Sequence, residues 1–176
     1  MNIQHSSRTD QWFTPAPIIT LVKKVLGNID LDPASSELAN VLVGAKNIID
    51  VETNGLSVEW PEDCNIYINP PGGKTNGKSN TFLFWKKLME YRNAGKLNHA
   101  IFMAFSAEAM QTTQGKKIQT MLDFSICIPA KRIAFVSPNG IKNSPSHSNC
   151  IIYIPGNINK TSDFIKHFSA LGKCKE

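Results

Sequence analysis

Apolar positions along this chain recur at two spacings, and the switches between them mark out its elements. From Pro15 to Leu26, Ile18, Leu21, Val22 and Val25 repeat at helical intervals, the stripe of an amphipathic helix. Pro15 and Pro17 suit its first turn, and Gly27 ends it. In Asn28–Asp32 the period drops to two, Ile29 and Leu31 alternating with Asp30 and Asp32 as in a short strand. Ser35 to Leu42 reads as a helix with Ser35 or Ser36 as its cap, and Lys46 to Asp50 as another short strand. Asn65–Ile68 is a strand that must end at Asn69-Pro70-Pro71, because two prolines cannot continue a ladder. A loop is expected over Gly73–Ser79, then a helix over Asn80–Tyr91 and a strand over Ala100–Phe105. Further on, the pattern predicts a helix at Lys116–Leu122 and strands at Phe124–Ile128, Arg132–Val136 and Cys150–Ile154. Ser137–Ser148 is a polar loop, and Ser162–Leu171 a last amphipathic helix.

Strands that alternate with helices predict an open α/β sheet with helices on both faces, and the crowding of strands late in the chain predicts a more antiparallel C-terminal part. The 176 residues suit one domain, residues 1–176, with 1–11 flexible. With 41% hydrophobic and 19% charged residues the chain can bury a core. It shows no internal repeat and no apolar run of the length that crosses a bilayer. The polar start from Met1 to Asp10 does not resemble a secretory signal. Four dispersed cysteines, Cys64, Cys127, Cys150 and Cys174, are then expected as reduced thiols in a cytoplasmic protein. No cluster with metal-ligand spacing is visible, so no metal is expected.

Charge divides the chain. Residues 1–63 carry nine acids and four bases, whereas residues 64–176 carry five acids and fifteen bases. A basic C-terminal part of this size points to a polyanionic partner, and leaves the acidic part a different task.

Two tracts follow strands at the edge where open α/β sheets bind ligands. In Asn69-Pro70-Pro71, an amide oxygen and a main-chain carbonyl can each accept a hydrogen from a nucleobase amine, whose lone pair is otherwise delocalised into the ring. The prolines hold those acceptors in place before the base arrives. The other tract, Asp30-Leu31-Asp32-Pro33-Ala34, can aim carboxylates at an ammonium group or at ribose hydroxyls. A strand end followed by a helix cap would carry similar letters. A third tract, Gly72-Gly73-Lys74-Thr75-Asn76-Gly77-Lys78-Ser79, matches GxxxxGK[ST] between a strand and a helix. As a P-loop it would put Lys78 on nucleotide phosphates and Ser79 on magnesium.

Asp10-Gln11-Trp12-Phe13-Thr14-Pro15, Ile29-Asp30-Leu31-Asp32-Pro33-Ala34-Ser35, Asn54-Gly55-Leu56 with Trp60, and Asn69-Pro70-Pro71 resemble, in that order, the phage-type DNA N-6-adenine methyltransferases. Pro129-Ala130-Lys131-Arg132-Ile133-Ala134-Phe135 and Ser144-Pro145-Ser146-His147 extend the resemblance. It implies a Rossmann-like methyltransferase sheet, S-adenosylmethionine as methyl donor and adenine in DNA as acceptor, in a cytoplasm that is the host's if the gene is a phage's. Thr14, Pro15, Asp32, Pro33 and Ala34, with Asp30 close by, then match cofactor-binding positions, and Asn69, Pro70 and Pro71 the catalytic motif.

Two departures stand out. Gly72 replaces the aromatic that would stack on the flipped base, and Ala34-Ser35-Ser36 replaces the usual Gly-x-Gly. Trp85 is the preferred substitute ring and Trp12 the second, while Lys78, Lys131 and Arg132 are candidate DNA phosphate contacts. Target reading then falls to the short loops Gly73–Ser79 and Ser137–Ser148, which implies a short or degenerate site. The P-loop alternative lacks a Walker B aspartate, since the strand from Ala100 runs into Ser106 and that from Phe124 into Pro129. It also leaves Thr14-Pro15 and Asp32-Pro33 unexplained. A further alternative is a nucleic-acid-binding relative that has lost turnover.

Overall fold

A computed structural model describes residues 12–104, 119–137 and 148–176. The expectations for residues 1–11, for the start of the helix at 116–122, for the strand end at Phe105–Ser106 and for the loop at 138–147, His147 included, lie outside the described residues.

Helix α1 spans Ala16–Leu26, with Pro17 in its first turn and Gly27, at φ 75°, closing it. Strand β1 is Leu31–Asp32. Helix α2, Glu37–Val43, is capped by Ser36, whose Oγ accepts the Ala39 N–H at 3.2 Å. Strand β2 is Asn47–Ile48 and β3 is Cys64–Ile68. A short hairpin follows, β4 at Lys74–Thr75 and β5 at Lys78–Ser79, then α3 at Asn80–Asn93 and β6 at Leu97–Ala104. A 3-10 turn at Gln119–Asp123 leads into β7, Ser125–Pro129. The chain closes with β8 at Cys150–Pro155, α4 at Thr161–Phe168 and β9 at Gly172–Lys175.

Seven of the described strands form one sheet in the order β2-β1-β3-β6-β8-β7-β9. From β2 to β6 each pairing is parallel, while β8 lies antiparallel to β6 and β7, and β9 antiparallel to β7. This is the expected α/β sheet with an antiparallel C-terminal part. After β1 the chain steps outward to β2 and then returns to pair β3 on the other side of β1. The boundary between β1 and β3 is therefore a topological switch point, where the crevice beyond the strand ends is open for a ligand.

Period-two alternation divides the core. Ile66, Ile68, Ala100, Phe102, Ile152 and Ile154 face Phe84, Trp85 and Leu88 of α3. Tyr67, Ile101, Met103, Ile151 and Tyr153 face α1 and α4 on the opposite side. Helices thus cover both faces, as expected for a sheet whose central strands are apolar throughout. Among the described residues no helix is long and apolar enough to cross a membrane.

The structure departs from expectation in three places. Arg132–Val136 is not a sheet strand: among the described residues its bridge joins Val136 to Phe13, and Ile133 and Phe135 alternate because they are pressed onto the α1 side of the core. Gly73–Ser79 is a hairpin and not a loop, since Asn76 and Gly77 take φ of 50° and 74°, the turn that Asn-Gly favours between two antiparallel strands. The edge strand β9 was missing from the pattern because Cys174 alone alternates with Lys173 and Lys175. Lysines on an edge strand discourage further pairing.

Candidate active site

The switch point opens into a cleft of about 560 Å³. Most of its lining comes from four stretches, Trp12–Thr14 before α1, Asp32–Ser36 after β1, Asp50–Leu56 after β2 and Asn69–Gly72 after β3, with Thr75, Asn80 and Phe84 beyond them. Thr14, Asp32, Pro33, Ala34, Asn69, Pro70, Pro71 and Gly72, spread over the first 72 positions, meet there. Pro15 adjoins Thr14 at the start of α1 and is half-buried.

Asn69 is oriented from the N-terminal segment. Its Nδ2 donates to the Trp12 carbonyl at 3.0 Å, which fixes which way the amide points. The remaining oxygen, Oδ1, is buried and has no hydrogen-bond partner among the described residues. A buried acceptor without a donor costs about 1–3 kcal/mol. Trp12 is placed by its neighbour: the Phe13 N–H donates to Val136 O at 2.8 Å and the Val136 N–H to Phe13 O at 3.0 Å. One residue on, Thr14 Oγ1 and Tyr67 Oη share a hydrogen at 2.5 Å, tying the segment to β3. Burial raises the Tyr67 phenol far above its ordinary pKa, so it remains a neutral hydroxyl.

Asp32 ends β1 with 2% of its surface exposed. Burial raises its carboxyl to a pKa of about 7, against a weaker opposing pull from the Ala34 N–H, which donates to Oδ1 at 3.2 Å. The Ser35 hydroxyl lies close enough to favour the charged form, yet it meets no hydrogen-bond geometry and its Oγ is buried without a partner. A near-neutral carboxyl beside an unpaired hydroxyl suits a ligand that brings a cation and hydrogen-bonding groups. On the neighbouring strand, Asp50 follows β2 and lines the same cleft, its Oδ1 accepting the Thr53 N–H at 2.8 Å. The sequence pattern had left Asp50 as an ordinary strand end. Its signal is positional: an acid just past the second parallel strand, beside the switch point.

The Asn54-Gly55-Leu56 tract with Trp60 builds the remaining wall. Asn54 takes φ 58° and its Oδ1 accepts the Leu56 N–H at 3.1 Å. A Cβ on Gly55 would stand 1.9 Å from the Pro33 carbonyl oxygen, so only glycine lets this loop lie against the end of β1. The loop is fastened from behind. Trp60 Nε1 donates to Gly55 O at 2.9 Å, and Lys87 on α3 reaches both Gly55 O, at 2.8 Å, and Val58 O.

Several expected residues stand elsewhere. Asp30 lies before β1, about two residues' rise back from the cleft, where its carboxylate accepts from Lys46 at 2.7 Å, Asn28 at 2.5 Å and the Asn65 N–H at 3.0 Å. Partial burial pushes its pKa up, but Lys46 and these donors outweigh that and hold it below the usual value. It joins β1 to β3 and does not face the ligand space. Trp85 is 2% exposed and packs edge-on against Phe102 and Phe124, its Nε1 donating to Thr120 at 3.0 Å. It belongs to the core because helical spacing from Asn80 turns it onto the sheet. Lys78, Lys131 and Arg132 are exposed and line no part of the cleft. Lys78 lies in β5, so the Gly72–Ser79 tract makes no phosphate-wrapping loop and the P-loop alternative fails on geometry.

Gly72 leaves open space, since a Cβ there would touch nothing within 4 Å. One ring that lines the cleft escaped the sequence pattern. Phe13 is half-buried, lines the cleft and packs into neither apolar cluster, whereas Trp12 leans on the α1-side core.

The fold is similar to that of class I methyltransferases. One similar solved structure is a Listeria monocytogenes protein assigned to the class I S-adenosylmethionine-dependent methyltransferases, 15% identical with a TM-score of 0.53 over 86% of this chain and 62% of that one. Another is the modification subunit of an assigned type I restriction enzyme from Vibrio vulnificus, 14% identical with a TM-score of 0.55 over 86% of this chain and 46% of that one. This chain thus spans less than two thirds of either neighbour, and at these identities the likeness speaks for the fold. No curated protein sequence matches it. The family is settled by sequence: residues 2–161 match the DNA N-6-adenine-methyltransferase (Dam) family, and the chain belongs to it.

Proposed function

We propose that this protein transfers a methyl group from S-adenosylmethionine to the exocyclic amine of adenine in DNA, and that residues 1–176 act as one catalytic unit. The observation that carries the proposal is Asn69, with Nδ2 tied to Trp12 O and Oδ1 buried and unpaired at the cleft. Oδ1 accepts one hydrogen of the amine and the Pro70 carbonyl the other, which draws the nitrogen out of conjugation and frees its lone pair. The Asn69 amide is oriented beforehand by Trp12 O, so little reorganisation would accompany the reaction.

Membership of the Dam family supports the donor, and the cleft fits it: about 560 Å³ lies within the usual range for small-ligand sites. S-adenosylmethionine, when bound, supplies an electrophilic methyl on a sulfonium. Asp32 and the unpaired Ser35 hydroxyl would hold its amino-acid end, and Asp50 its ribose hydroxyls. Thr14, fixed to Tyr67, would close the cleft on the Asn69 side. Phe13 supplies the ring face for the flipped base that Gly72 lacks, and Lys131 and Arg132 contact DNA phosphates.

Incubation of the purified protein with labelled S-adenosylmethionine and plasmid DNA tests the proposal. Label should appear at adenine N6, and Asn69→Ala should lower the rate about 100-fold or more with donor affinity unchanged. A wild-type protein that binds donor and DNA but transfers nothing would identify a relative that has lost turnover.

A further inference from the structure

Between the catalytic motif and α3 stands a feature that adds nothing to the core. The hairpin β4–β5 pairs with neither edge of the main sheet, and residues 73–78 are exposed. An isolated two-stranded hairpin is marginal in water. This one is held at its root by Asn80, whose Nδ2 donates to Gly72 O at 2.9 Å, whose Oδ1 accepts from Thr75 Oγ1 at 2.7 Å and whose N–H donates to Gly73 O at 3.2 Å. Thr75 and Asn80 also line the cleft, so the hairpin rises from its lip.

Its charges are arranged for a groove. Thr75 and Lys78 are opposite each other and share a face, and Lys74, one residue before Thr75, lies on the other face. Neither lysine takes part in an ion pair among the described residues. A flat phosphate surface would call for both cations on one side. One on each face suits a ribbon that slides between two rows of phosphates. The tip is Asn76, exposed in the left-handed conformation at φ 50°.

Resting on the proposed reaction with DNA, we infer that the Lys74–Ser79 hairpin enters the major groove beside the target adenine, with Lys74 and Lys78 on the two flanking backbones and the Asn76 amide on a neighbouring base edge. A two-stranded ribbon fits a major groove about 12 Å wide and not a minor groove about 6 Å wide. The amine to be methylated belongs to the major-groove edge of its base pair, so the hairpin and the cleft approach from one side. An asparagine amide pairs best with adenine N6 and N7, which makes adenine the preferred neighbour.

The test uses the full chain and two measurements. Anisotropy of a labelled duplex over a salt series gives the number of phosphate contacts, and Lys74→Ala with Lys78→Ala should flatten the log–log slope by about 0.9 per lysine. Base-resolved mapping of methylated adenines on a plasmid gives sequence context. Asn76→Gly keeps the left-handed turn and removes the amide, and should cut the preference for the favoured neighbour about 10-fold or more. An unchanged salt slope in the double variant overturns the inference, as does an Asn76→Gly context profile identical to wild type. Absence of any methylation by the wild-type protein refutes the proposed reaction instead, and the salt slope then still decides whether the hairpin lies on DNA.

Discussion

Two rings in this chain stand where their positions would not suggest, Trp85 in the core and Phe13 at the cleft. Trp85 is the largest ring near the catalytic motif, yet Phe102 and Phe124 enclose it. Phe13, fifty-six positions before Asn69, reaches the cleft because its backbone is paired on both sides to Val136. Stacking of a base on a ring is worth about 1–3 kcal/mol. Phe13→Leu should therefore slow methylation of duplex DNA about 10-fold at unchanged melting temperature. Trp85→Ala should cost about 3–5 kcal/mol of stability while each folded molecule keeps its rate. Parallel melting and single-turnover assays separate the two. Asp32 makes a second residue-scale prediction. Its folded pKa of about 7 exceeds the unfolded 3.8, so the folded state binds the extra proton between those values. Its contribution to stability is full below about pH 4, falls as pH rises and is exhausted above about pH 7. Asp32→Asn removes this slope, and its melting temperature should gain on wild type between pH 5 and pH 8. Affinity for a cationic donor should move oppositely, rising through pH 7 in wild type and staying flat in the variant, as calorimetry across pH would show.

Elements meet in this cleft through backbone fit as much as through side chains. The Asp50–Leu56 wall lies against β1 only because Gly55 has no Cβ to strike Pro33 O at 1.9 Å. Gly55→Ala should push the wall outward, lowering donor affinity about 10-fold or more by the scale of a 1–2 kcal/mol misfit and lowering the melting temperature as well. Isothermal calorimetry and thermal melts check both, and wild-type affinity in the variant would deny the wall its role. Such a fit was invisible in the residue pattern, where Asn54-Gly55-Leu56 resembles any polar turn, although family resemblance had flagged it. Much else was legible. The helical stripe of Ile18, Val22 and Val25 and the uniformly apolar Ile66–Ile68 are local signals, and each produced the element it predicted. Asn-Gly at 76–77 was equally local, but the Walker-like spacing around it drew it toward a loop. What the pattern could not carry was which face a residue meets across long separations. Asp30 and Asp32 look alike in sequence, and only the placing of β1 between β2 and β3 leaves one beside Lys46 and Asn65 and the other at the cleft. Asp50 escaped for the same reason.

At the scale of the molecule, the charge division along the chain becomes a division across the sheet. The acidic first part supplies β1, α2 and β2, and with them Asp32 and Asp50. The basic second part supplies β3 and every strand beyond it, and β7 runs parallel to β3, so Lys131 and Arg132 follow its end on the same edge as Asn69. On the proposed reaction, a cationic donor and a polyanionic acceptor would have separate halves, which adjoin at the switch point where the methyl would pass. On that proposal, repulsion from the acidic half would also restrict how DNA can lie, leaving it over β3 to β7. Two double variants test this division. Lys131→Ala with Arg132→Ala should flatten the salt dependence of DNA affinity by about 0.9 per lost phosphate contact. Glu37→Lys with Glu52→Lys, on the exposed acidic half, should leave that slope unchanged, because added cations count only where phosphates pass. Donor affinity, measured over the same salt series, should stay nearly constant in all three proteins, since the Asp32 carboxyl is shielded from bulk ions by burial. A steeper slope in the Glu37→Lys, Glu52→Lys protein would mean that DNA crosses the α2 side, and the division of labour between the two halves would be wrong.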